Sequence, residues 1–262
     1  MSQTGSEYVD VLHGMGMPAL QLVRATAWYA FVRAAQESAP ISPTPTLSRL
    51  LLEELARAGV LKPTASAPNV LDPWGWHYAD TVGDTSDLSA HLLVIINSIA
   101  TQPAADVARL WLWRQLIDAE SEAHMADLLA RHQLGALRAL ITHVHPHWQD
   151  HSLCRRRYLG WYAVRGAAAA FLRTDGDDQM TALTLLGELR RRSQWLAHQF
   201  HQHAVGPAQY CFPPSPTARQ SLLSQVFLKH IAPLGRAYWR EVPSLQILNT
   251  SAWDSDRQSA DE

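Results

Sequence analysis

The sequence predicts an all-α protein, a multi-helix array of about seven or eight helices around a central antiparallel helical hairpin. Three observations lead there. Apolar residues recur at intervals of three and four along most of the chain, the helical period. Strand-compatible sequence is confined to one Trp- and Pro-rich stretch near residues 63–84, which reads as an irregular aromatic loop or a short strand pair. Between two long helical stretches stands Thr174-Asp175-Gly176-Asp177-Asp178, whose glycine can close one helix and whose acids suit the start of the next.

In order, Pro18 opens a helix to about Ser38, with Leu20, Val23, Ala27, Ala30, Phe31 and Ala34 on its apolar side. Ala39–Pro45 is a linker. Thr46 or Ser48 would cap a second helix ending at Ala58-Gly59. Asp84–Asp87 caps a third, Leu88–Ala100, whose unbroken Leu92–Ile96 run predicts burial on all sides. Pro103 starts the next, to Arg131, with Asp106, Asp118, Glu120 and Glu122 on a solvated face. A short helix, Ala136–His143, should be broken by Pro146. The hairpin arms follow, the first with Leu159, Tyr162, Val164, Phe171 and Leu172, the second with Leu183, Leu186, Leu189, Leu196 and Phe200. Thr217–Tyr238 is a last helix, kinked at Pro233. Residues 1–248 read as one helical domain, any subdivision falling near 132–149, and 249–262 as a disordered acidic tail.

Charge is unevenly distributed. Residues 1–130 hold 7 Lys+Arg against 14 Asp+Glu, and residues 131–193 hold 10 against 5. An acidic block and a basic block imply different partners, or mutual attraction. No N-terminal stretch has the form of a signal peptide, and no apolar run reaches the ~18–20 residues a membrane helix needs. These features predict a cytoplasmic protein, away from the membrane, with Cys154 and Cys211 as reduced thiols.

The chemistry-bearing residues fall into three groups. His147, His151 and Cys154 before the turn, and His198 and His201 after it, would meet at one end of the hairpin and could ligate zinc or a similar divalent metal. Their spacing matches no regular zinc pattern. Cys154 beside His151 could also be a nucleophile pair, but an inert buried cysteine is the simpler reading, and no phosphate loop, HExxH helix or Gly-framed nucleophile occurs. Second, Arg155, Arg156, Arg157, Trp161, Arg165, Arg190, Arg191 and Arg192 interleave cations with rings, as a nucleic-acid or protein contact surface does. The same arginines could instead pair with the acidic first half. Third, Trp253 stands alone in the acidic tail, where a single ring can anchor in a partner's groove.

The expectation is therefore a non-catalytic helical interaction or scaffold subunit of a larger bacterial-type assembly. It would need no cofactor, bind a protein partner and tolerate self-association. The alternatives are a metal-dependent enzyme or metal-binding protein at the His/Cys cluster, and a nucleic-acid-binding module at the Arg/aromatic stripe.

Overall fold

The computed structural model describes residues 11–12, 14–64, 75–79, 87–201, 209–214 and 220–250. Among these the architecture is all-α, with one small two-stranded sheet. The described residues form two compact units, the first drawn from Met1–Leu116, Arg219–Gly235 and Pro243–Glu262, the second from Ile117–Ala218 and Arg236–Val242.

The first unit is built on α1 (Met17–Glu37), which begins with Pro18 in its first turn and buries Leu22, Val23, Ala27, Ala30 and Phe31. Its end is closed by Ser38 in the left-handed conformation (φ 51°). α2 (Pro45–Arg57) is capped earlier than expected. Pro45 occupies the first helical position, so the cap is Thr44, whose Oγ1 accepts from the Leu47 amide at 3.4 Å. Glu54 on α2 is buried and accepts from Arg24 Nε (3.0 Å) and Nη2 (2.8 Å), with Arg57 on its other oxygen. The two guanidinium groups answer a carboxylate that would otherwise be costly to bury.

The aromatic segment is a strand pair. β1 (Leu61–Pro63) runs antiparallel to β2 (Trp76–Tyr78), with Lys62 opposite His77. Trp76 is buried, and the Tyr78 ring stands edge-on to Phe31 at 5.8 Å, so these rings pack under the helices. α3 (Leu88–Ala100) corrects the expectation of burial on all sides. Leu92, Ile96 and Ile99 face α1, but Val94 is 68% and Ile95 43% exposed, because α1 and the 227–231 turn cover only one side.

The helix expected over 217–238 is interrupted. Ser221 caps Leu222–Val226, which widens into a π-helical turn at Phe227–Ile231. Ala232 is then extended (φ −149°, ψ 97°), since the ring of Pro233 disfavours a helical conformation in the residue before it. The Leu222 and Leu223 amides donate to Pro40 and Ile41 carbonyls at 3.1 and 2.9 Å, tying this segment to the linker.

α4 (Asp106–Arg131) gives Trp113 and Leu116 to the first core and Ile117 onward to the second unit. There a 3-10 stretch, Gly135–Leu140, precedes α5 (Ile141–Trp148). Pro146 lies inside α5 rather than ending it. One missing backbone bond in so short a helix is offset by the burial of Ile141, Val144 and Trp148 along one face.

α6 (Leu153–Arg173) and α7 (Asp178–His201) form the expected antiparallel hairpin. Leu159, Ala163, Val164 and Ala167 share a core with Leu185, Leu189 and Leu196. Small residues permit this approach: a Cβ added at Gly166 would lie 3.0 Å from Glu188 Cγ. At the turn, Asp175 (φ 52°) and Gly176 (φ 86°) are both left-handed, and the Gly176 amide donates to Phe171 O at 2.9 Å. Asp177 Oδ1 then caps α7, accepting from the Gln179 and Met180 amides at 2.9 and 3.0 Å. Gly176→Ala should destabilise the protein by about 1 kcal/mol, because the added Cβ has room but not the backbone conformation. A urea midpoint equal to wild type would show that the turn does not need glycine.

Candidate interaction face and its buried ionic support

The reversal before α6 decides where the histidines go. The chain turns back over 149–152, with Ser152 at the N-cap of α6, so α5 packs against α7 instead of prolonging α6. His147 is half-buried, and burial, then the charge of Arg190, lowers its pKa. His151 Nε2 meets Ser193 Oγ at 3.0 Å, and burial followed by the Arg155 and Arg156 charges depresses its pKa to about 4. His198 is exposed, and the His201 side chain lies outside the described residues. Cys154, expected as a free thiol and potential ligand, is joined to Cys211 in a disulfide. Among the described residues no group of three or more His, Cys, Asp or Glu is placed to hold a metal ion.

The arginine triplet separates into three environments. Arg156 is buried. Its Nε donates to His151 O and its Nη2 to Gln149 O, both at 2.8 Å, while Nη1 pairs with Asp118 Oδ1. His145 Nε2 stands 3.2 Å from the other Asp118 oxygen. Burial alone would raise the Asp118 pKa, but the hydrogen bond from His145 and the charge of Arg156 outweigh it and hold the carboxylate below its usual range. One turn along α4, burial and then the Asp118 charge push Glu122 up to about 7. Arg157 is half-buried, with the charges of Glu120 and Asp127 near it. Glu120 also accepts from Tyr238 Oη at 2.7 Å, and the charge of Glu241 acts on Arg155. Asp118, Glu120 and Glu122 are thus each part-buried on α4, not solvated as expected. Burial and then Arg157 depress His124 to about 4.

The rest of the arginine and ring cluster is assembled around Arg192. Its Cζ lies 3.9 Å from the Trp195 ring centre, 4.9 Å from Tyr162, 5.1 Å from Tyr210 and 5.4 Å from Tyr158. Its Nε donates to Tyr158 Oη at 2.8 Å. Four ring faces around one guanidinium fix the side chain and the rings together. Trp161 extends the group: its ring is 5.5 Å from Phe212, and Arg165 Cζ lies 5.4 Å over it. Arg191 bonds Glu188 at 2.6 Å and also reaches Tyr162. Arg165, Arg190 and Arg191 are exposed, and Phe212 is 37% exposed. Arg190 points its charge towards His147 on α5. Trp253 lies outside the described residues.

Tyr210 and Phe212 are not among the sequence candidates for the site, and Asp118 is expected there only as part of a solvated face. A usable signal existed for Asp118 and Glu122, a carboxylate pair at i, i+4 in an acidic block, facing three consecutive arginines in a basic one. None existed for Tyr210 and Phe212, whose position follows from the disulfide. No family model, curated protein or solved structure matches the chain.

Proposed function

We propose that this chain is a non-catalytic helical interaction module, a subunit of a larger assembly, and that it engages a protein partner through the face carrying Trp161, Tyr162, Arg165 and Arg191. The observation that carries this reading is the ring group held by Arg192, with Arg165 stacked on Trp161 at its border. Rigid aromatic rings with guanidinium groups at their edge lose little conformational freedom on binding and are the residue types enriched where interfaces gain most of their energy. The exposed cations favour a partner with acidic groups around an apolar centre.

The nucleic-acid alternative has less to draw on, since Arg156 is buried against Asp118 and Arg157 faces Glu120 and Asp127. No arrangement among the described residues supports the metal alternative.

The test compares the wild type with Arg165→Glu/Arg191→Glu, both on exposed positions outside the core. Wild-type protein should recover a stoichiometric partner from native extract without added metal or substrate, and the double variant should bind that purified partner about tenfold or more weakly. Equal affinity for the two would refute the assignment of this face. Binding to an unspecific DNA duplex at low salt that disappears at higher salt, with no protein recovered, would favour the nucleic-acid reading instead.

A further inference from the structure

The disulfide ties a short segment to the very face just described. Cys211 lies between Tyr210 and Phe212, and both rings are laid on α6 and α7. Tyr210 stands 5.2 Å from Tyr158 and 5.4 Å from Trp195, and Phe212 stands 5.4 Å from Tyr158 and 5.5 Å from Trp161. The Phe212 amide donates to Cys154 O at 2.9 Å, alongside the covalent bond. The segment therefore covers part of the Tyr158–Trp161–Trp195 surface and supplies one wall around Arg192.

We propose that the Cys154–Cys211 bond is a redox latch. Oxidised, it clamps Tyr210–Phe212 onto the aromatic face; reduced, it frees the segment and uncovers Tyr158, Trp161, Trp195 and Arg192 for a partner. This regulation rests on the reading of that face as the interaction site.

The chemistry is a thiol–disulfide exchange with a dithiol reductant. Cys154 is fully buried whereas Cys211 is part-exposed, so the incoming thiolate attacks Cys211 Sγ. The protein S–S bond breaks, Cys154 leaves as thiolate, and a mixed disulfide forms at Cys211. The second thiol of the reductant then displaces Cys211, so the reductant ends as its disulfide and the protein as two thiols, two electrons and two protons having been transferred. Cys154 is suited to leave. It sits in the first turn of the 21-residue α6, where the helix dipole favours a thiolate, and Ser152 Oγ, 3.4 Å from its sulfur, can donate to it. Among the described residues, ring stacking, the Arg192–Tyr210 contact and the Phe212 amide bond oppose release once the covalent tie is gone, and each is individually weak.

Amide hydrogen exchange tests this without any partner. Oxidised protein, dithiothreitol-treated protein and Cys211→Ser are compared, reading Phe212 against the core amide of Leu189. Phe212 should exchange about tenfold or more faster in the reduced protein and in Cys211→Ser without reductant, with Leu189 unchanged. Unchanged Phe212 protection would overturn the latch. So would a matching loss at Leu189, which would make the bond a general staple, and so would two free thiols in protein never exposed to reductant. Because no partner is present, failure here leaves the interaction face standing, and failure of the Arg165/Arg191 test leaves the latch standing.

Discussion

Arg156→Ala is expected to destabilise the second unit by about 3–5 kcal/mol, the usual cost of removing one partner from a buried ion pair. Three groups lose their donor together. Asp118, itself only 13% exposed, keeps its charge without the guanidinium, and the carbonyls of Gln149 and His151 lose it as well. Those carbonyls belong to the reversal that folds α5 back from α6, so the loss also loosens the entry to the hairpin. The effect should appear as a lower urea midpoint with little change in slope. A second variant separates pairing from packing. Asp118→Asn/Arg156→Met removes both charges and keeps most of the volume, so it should cost clearly less than the sum of its single changes, the mark of direct coupling. A cost below about 1 kcal/mol for Arg156→Ala, in the range of surface pairs, would mean that the pair does not organise this unit.

That ion pair also marks the limit of what the sequence made legible. Helix periodicity located α1, α3, α4 and both arms of the hairpin, because burying an apolar stripe is a local pattern. The turn at Asp175-Gly176 was legible for the same reason: its residues are the ones that left-handed backbone and a helix N-terminus demand. The role of Asp118 was not. An acidic run on a helix is ordinarily solvated, and it is His145 together with Arg156, 38 positions later, that makes the burial of Asp118 tolerable. The charge blocks hinted at attraction between halves without saying which residues meet. The histidine groups were placed together by counting residues from Gly176, an argument that requires each arm to be straight. Ser152 caps α6 and turns the chain, which carries His147 to the middle of α7 and leaves His151 on Ser193 rather than beside His198. Ser152 is a cap-type residue, but nothing local to it in the sequence shows that the chain reverses there. The Cys154–Cys211 bond had no local signal at all, since its partners are 57 residues apart.

Stability should rise from about pH 4.5 to a plateau near pH 7, and Glu122→Gln should raise that plateau. The signs follow from the direction of each shift. Glu122, raised to about 7, binds its proton more tightly folded than unfolded, so folding is favoured while it is protonated and stability falls as pH rises from about 4.5 through 7. His124 and His151, both depressed to about 4, bind protons less tightly folded, so stability is lost as pH falls from 6.5 towards 4. Between about 4.5 and 6.5 two histidines oppose one glutamate, and the net slope is upward with pH. Above 6.5 the unfolded-state histidines finish losing their protons while folded Glu122 ionises, the two effects offset each other, and the curve flattens near pH 7. A shift of this size corresponds to an upper limit of roughly 3 kcal/mol at alkaline pH, of which relaxation and solvent should leave about 2. Glutamine keeps the shape and cannot ionise. At pH 8 Glu122→Gln should therefore be more stable than wild type by about 2 kcal/mol, and near pH 4, where Glu122 is largely protonated in both states, the two should nearly coincide. Urea midpoints across pH 4 to 9 for both proteins measure this directly. Parallel curves would show that Glu122 titrates normally and that Asp118 does not press on it. His151→Asn, which can keep a bond to Ser193, should in turn flatten the acid limb and leave the plateau above about pH 7 as it was.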